Sequence, residues 1–144
     1  MAETMHFNLV SPERRLMAAE VKSVQIPGAD GDMTAMPDHA PVITTLRPGV
    51  LRVETTSGTE EFVVTGGFAE LGDGLSVLAE RALPRGDVDQ PTYESIVAEA
   101  QAAYDQTKKT AGTDSGLVDD AAKMLADTVG IAAELGLNAR QASF

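Results

Sequence analysis

His6 and His39 are the only imidazoles in the chain, and there is no cysteine among its 144 residues. Acid–base chemistry near neutral pH would therefore rest on these two histidines and on carboxylates. A serine–histidine–aspartate triad can be written down from His39, Asp38 and some serine. However, Asp38 and His39 are sequence neighbours rather than residues converging from separate loops, and no Gly-x-Ser-x-Gly elbow exists. Asp30-Gly31-Asp32 begins like a calcium loop, but the fifth position is Thr34 and the glycine that should follow is missing. No lysine follows a glycine, so there is no phosphate-binding P-loop. Gly66-Gly67 reads as a junction between strands. Glu60 and Glu61 fall in a strand, where neighbours point to opposite faces and cannot share a substrate. Each candidate has a structural explanation, and no catalytic residue is expected. No metal site and no cofactor are expected either.

The composition points the same way. Without thiols there can be no disulfide framework, thiolate zinc site or iron–sulfur cluster. Tryptophan is absent and aromatic residues make up 4% of the chain, too few for a base-stacking platform. Eleven Lys and Arg against 22 Asp and Glu leave a net charge of -11. That charge repels phosphate backbones and favours protein partners over nucleic acid. No run approaches the ~20 apolar residues that span a bilayer. The segment from Met1 to Phe7 lacks the basic and apolar regions of a secretory signal. A soluble protein facing the cytosol is expected.

The elements that must carry these residues change character along the chain. Up to about residue 86, apolar side chains alternate with polar ones: Phe7 and Leu9, then Leu16, Val21, Val24 and Ile26, later Leu51 and Val53, Phe62 and Val64, and Leu75, Val77 and Ala79. Turn signals interrupt them at Pro27-Gly28, Asp30-Gly31, Ser57-Gly58 and Gly72-Asp73-Gly74, and the last two are expected to supply positive φ. Short strands at that spacing predict a β-sandwich, or flattened barrel, over residues 1–86. From Pro91 the period becomes helical, with Tyr93, Ile96, Val97, Ala100 and Tyr104 on one face and Asp89 or Gln90 as cap. After a loop, Val118, Ala121, Ala122, Leu125, Val129 and Ala132 mark a second helix that stops near Gly136. Residues 87–144 are therefore read as an antiparallel two-helix hairpin with a short C-terminal tail. The fold class is α+β.

Several stretches together resemble the epsilon subunit of F-type ATP synthases, the counterpart of the mitochondrial delta subunit. They are Met5-His6-Phe7-Asn8-Leu9-Val10-Ser11-Pro12-Glu13, Val24-Gln25-Ile26-Pro27-Gly28, Pro37-Asp38-His39-Ala40-Pro41, Leu46-Arg47-Pro48-Gly49 and Val64-Thr65-Gly66-Gly67-Phe68. The combination of His-Ala-Pro with the later Pro-Gly and Gly-Gly is what makes the likeness specific. It covers residues 5–89 closely and the remainder in architecture. What the resemblance implies is a non-catalytic rotor subunit at the cytoplasmic face of a bacterial inner membrane, peripheral to it. The sandwich would join the gamma stalk to the c-ring and turn with both, coupling proton flow to ATP synthesis. The hairpin could reach the alpha and beta subunits.

Matched position by position, the resemblance places Asp30, Gly31, Asp32 and Met33 in the turn that touches a basic loop of the c-ring. It places His39, Ala40 and Pro41 near gamma, and Gly66 and Gly67 where backbones approach closely. Family members that bind ATP carry Ile/Leu-Asp-x-x-Arg-Ala at the start of the first helix. Here the stretch is Val88-Asp89-Gln90-Pro91-Thr92-Tyr93, with Asp89 kept but Thr92 and Tyr93 in place of Arg and Ala. Without that arginine the phosphates lose a charge-assisted donor, and no nucleotide site is expected. The alternatives are an ATP-responsive inhibitor of hydrolysis acting through the hairpin, and a free-standing β-sandwich module that binds proteins.

Overall fold

The computed structural model describes residues 3–144. The chain divides between Arg85 and Gly86 into two compact units. The first is built of nine strands: β1 (Met5–Val10), β2 (Arg15–Gly28), β3 (Gly31–Ala35), β4 (Val42–Thr45), β5 (Gly49–Thr55), β6 (Gly58–Val64), β7 (Gly67–Leu71), β8 (Leu75–Ala79) and β9 (Ala82–Pro84). They form one hydrogen-bonded path in the order β4-β7-β8-β1-β2-β5-β6-β9, with β3 branching from β2. The path is open, with β4 and β9 as its ends. β1 and β8 run parallel, while β2 is antiparallel to β1, β3 and β5.

The long strand β2 joins the two layers of the sandwich. Its first half pairs with β1, and its second half pairs with β5 and β3. Two irregularities explain why its apolar residues do not keep one parity. Leu9 faces Met17 while Val10 faces Arg15, which leaves Leu16 as an extra, half-buried residue. Val21 faces Thr55 while Ser23 faces Glu54, so Lys22 is extra. A bulge of this kind shifts the pleat by one residue, so Val21 and Val24 both point inward although their spacing is odd. Phe7, Leu9, Val21, Val24, Ile26, Leu51, Val53 and Val77 are among the side chains buried in the core between the layers.

The turns need glycine for two different reasons. Gly58 has φ +143°, as expected for its hairpin. Gly72 and Gly74 do not have positive φ. Gly74 is needed for space instead: a Cβ there would lie 2.7 Å from the carbonyl oxygen of His6.

The second unit holds α1 (Gln90–Thr110) and α2 (Ser115–Leu135). Asp89 caps α1 by accepting from the Thr92 amide at 2.9 Å, and Pro91 lies in the first turn, where it forfeits no helical bond. Asp114 caps α2 by accepting from the amides of Gly116 and Leu117. Gly136 ends α2 in the left-handed region, φ 69°. Tyr93, Ile96, Val97 and Tyr104 are buried from α1; Leu125, Thr128, Ile131 and Ala132 are buried from α2. Thr128 enters an otherwise apolar face because its hydroxyl donates to the Met124 carbonyl at 2.6 Å. No helix among the described residues is long and apolar enough to cross a membrane.

Candidate interaction surface

The turn between β2 and β3 is short: Gly28 pairs with Gly31 and leaves only Ala29 and Asp30 outside the ladder. Its base is tied to the neighbouring segment. Ala29 donates to the Thr45 carbonyl at 2.8 Å, and the Arg47 amide donates to the Pro27 carbonyl at 2.9 Å. The Arg47 guanidinium donates to the Gly28 carbonyl at 2.7 Å and forms an ion pair with Asp32. Asp32 therefore already has a cation of its own. Asp30 is exposed at the apex, Gly31 is exposed beside it with φ +133°, and Met33 turns inward to pack on the core.

His39, Ala40 and Pro41 lie together in the loop from β3 to β4, and all three are exposed. The His39 ring nitrogen Nδ1 is 2.8 Å from the Ala40 carbonyl oxygen. A carbonyl only accepts, so Nδ1 carries the proton and Nε2 is the atom left for a partner. Asp38 before it has φ 63°, a conformation that aspartate tolerates better than most residues. The loop leads straight into β4.

Gly66 and Gly67 join β6 to β7. The Gly66 carbonyl accepts from the Glu80 amide at 3.0 Å, and the Gly67 carbonyl from the Leu46 amide at 2.9 Å. Gly67 has φ +111°, and a Cβ there would lie 1.9 Å from the Leu78 carbonyl oxygen. No side chain can replace that hydrogen without parting β7 from β8.

A feature that spacing alone did not single out is an apolar strip on the outer face of β4, β7, β8 and β1. Thr45, Phe68, Leu78 and Val10 lie in register across the four strands. Ile43 is 70% exposed, Phe68 45% and Leu78 44%, which is unusual for side chains of this size on a sheet. Phe68, Leu78 and Val10, with Pro12 and Ala79, line a cleft of about 440 Å³. A signal was present. Phe68-Ala69 and Val77-Leu78 are apolar at consecutive strand positions, and of two such neighbours only one can point into the core.

Two other candidate groups, His6 and Glu61, have charged partners. His6 Nδ1 meets Glu20 Oε2 at 3.2 Å across β1 and β2, both exposed. Glu61 accepts from Arg85 at 2.9 Å, while Glu60 is exposed. Among the described residues no three His, Asp or Glu gather as a metal site.

Residues 4–85 match a family profile described as the β-sandwich domain of the ATP synthase delta/epsilon chain. The ATP synthase epsilon chain of Ruegeria sp. (strain TM1040) is 51% identical over 138 residues, which is 95% of this chain and all of that one. That of Paracoccus denitrificans is 44% identical over 146 residues, 100% of this chain and 99% of that one. The likeness thus runs through the helical unit as well as the sandwich. In fold, the chain is similar to one in the cryo-EM structure of the Euglena gracilis mitochondrial ATP synthase, OSCP/F1/c-ring, in rotational state 1. That match has TM-score 0.69 at 21% identity and covers 94% of this chain and 83% of that one. With a family profile over residues 4–85 and relatives 44% and 51% identical over 95% or more of its length, the chain belongs to the family of ATP synthase epsilon chains.

Proposed function

We propose that the chain is a non-catalytic rotor subunit of a proton-translocating ATP synthase, held at the cytoplasmic face of a bacterial inner membrane through the assembled complex. In this reading the sandwich joins the gamma subunit to the c-ring, and the helical unit regulates hydrolysis at most weakly. The observation that carries it is the apolar strip of Ile43, Phe68, Leu78 and Val10. A partner that turns with the sandwich needs a lasting interface, and Ile43, Phe68 and Leu78, exposed on three neighbouring strands with half-buried Val10 beside them, can supply its core. The loop of His39, Ala40 and Pro41 runs into the first of those strands, and we assign both to gamma. The turn of Asp30, Gly31, Asp32 and Met33 is assigned to the ring, with Asp30 as its outward charge. Family membership supports the assembly in general.

An ATP-responsive inhibitor is the weaker reading. The Asp89 carboxylate is committed to capping α1 through Thr92, the residue that stands where an arginine would meet phosphate.

The test is co-purification. Phe68→Glu combined with Leu78→Glu is expected to abolish recovery of the chain with gamma, alpha and beta. Arg52→Glu, an equally large charge change on an exposed residue of β5, should leave recovery intact. Equal recovery of both variants would overturn the assignment of the strip.

A further inference from the structure

α1 carries a repeat that its helical period conceals. Gln90-x-x-Tyr93 recurs eleven residues later as Gln101-x-x-Tyr104. Eleven residues make about three turns, so the two pairs stand on one stripe of the helix. The segment after α2 lies along that stripe, and the glutamine of each pair grips it in the same way. Gln90 donates to the Asn138 carbonyl at 2.8 Å and accepts from the Asn138 amide at 3.0 Å. Gln101 donates to the Ser143 carbonyl at 2.6 Å and accepts from the Ser143 amide at 2.9 Å. Each carboxamide thus holds one backbone unit by both its groups, as a neighbouring strand would.

The tyrosines complete each grip. Tyr93 Oη donates to the Val129 carbonyl of α2 at 2.8 Å and accepts from the Arg140 amide at 3.2 Å, so one hydroxyl ties together α1, α2 and the segment. Arg140 also donates to the Glu94 carbonyl at 3.1 Å. The Tyr104 ring meets Phe144 edge-on at 5.3 Å, with the Lys108 ammonium 5.9 Å from its centroid. The lengths agree: α1 rises about 21 Å from Gln90 to Tyr104, and an extended chain covers about 20 Å from Asn138 to Phe144.

We propose that this stripe is a binding site for an extended peptide, that residues 138–144 are its ligand, and that the bound segment latches the helical unit closed. The glutamine grips read backbone rather than side chains, so register is set by the spacing of the two glutamines, with the Phe144 ring and the Arg140 guanidinium adding side-chain contacts. Because Tyr93 bridges all three, holding the segment also favours α2 staying on α1. The latch goes beyond the rotor reading and does not depend on it.

The experiment is residue-resolved amide exchange on the full chain by NMR. Gln90→Ala with Gln101→Ala removes both carboxamides, and alanine is the better helix former, so a loss of protection cannot come from weakened propensity in α1. In the parent chain the amides of Asn138, Arg140 and Ser143 are expected to be protected. In the double variant they should exchange about tenfold faster or more, the scale of losing several net hydrogen bonds. Amides from Leu125 to Ala132 should speed up with them. Gln106→Ala makes the same change on α1 away from the segment and should alter neither set. Parent-chain amides at 138 and 143 exchanging at the rate of an unstructured peptide would overturn the site. Release of the segment with no change in α2 would overturn the latch.

Discussion

Two aspartates at the tip of the β2–β3 hairpin differ in what they can offer a partner. Asp32 is paired with Arg47, and that arginine also holds the Gly28 carbonyl, so the pair secures the hairpin base. Replacing Asp32 would remove an internal pair and an external charge together. Asp30 stands at the apex outside the ladder, and its replacement isolates the external charge. Asp30→Lys is expected to lower ATP synthesis per proton translocated in membrane vesicles a few-fold, and more at low salt than at high salt. Exposed charges act across roughly 10 Å at 0.1 M salt and less above it. Unchanged coupling at both salt concentrations would remove this turn from the ring interface. The sequence located the tip but not this division of labour. Arg47 lies far along the chain from Asp32, and nothing in local spacing announces that they meet. The apolar strip escaped for another reason: alternation identifies the inward residue of each pair and leaves the outward one, Phe68 or Leu78, unremarked until exposure is known.

At the scale of elements, patterning worked wherever one period ran undisturbed. α1 shows this well: its buried Tyr93, Ile96, Val97 and Tyr104 all lie on the expected face. α2 was less legible, because Thr128 is buried through its bond to Met124 and Ile131 extends the stripe. In β2 the two bulges break the alternation, and only pairing partners reveal where. The cap of α1 gives a direct measurement. Hydrogen bonds from Thr92, from its side chain first and then its amide, hold the Asp89 carboxyl below the usual carboxylate range. A carboxyl whose pKa is depressed on folding stabilises the folded state above its unfolded pKa, near 3.9. That contribution is lost as pH falls through the lower, folded value, because the unfolded state then binds more protons. Asp89→Ala is therefore expected to lower the melting midpoint of helical circular dichroism at pH 7. The gap to the parent chain should narrow as pH drops below about 4. A gap independent of pH would mean that the charge of Asp89 contributes nothing to the cap.

At the scale of the whole molecule, charge bears on the weak regulation proposed for the helical unit. Residues 87–144 hold ten acids against four bases, a net of −6 out of the chain's -11. In family members that inhibit hydrolysis, the resemblance implies a raised hairpin whose basic residues meet an acidic loop of the catalytic beta subunit. Here the approach of a strongly acidic unit to an acidic loop is repulsive, and like charges brought together at an interface disfavour the docked state. The four bases do little to offset this. Lys123 is paired with Asp127 at 2.8 Å, Arg140 is held on the Glu94 carbonyl, and Lys108 lies over Tyr104. Only Lys109 is exposed with none of these engagements, and one lysine in the last turn of α1 cannot make the unit basic. The expected state is a closed hairpin that brakes ATP hydrolysis weakly, with another component restraining wasteful hydrolysis. Deleting residues 90–144 from the assembled enzyme should leave synthesis largely intact and raise hydrolysis less than about twofold, an activation-barrier change well under 1.36 kcal/mol. A many-fold rise in hydrolysis on deletion would show that the unit docks in spite of its charge, and the electrostatic argument would fail.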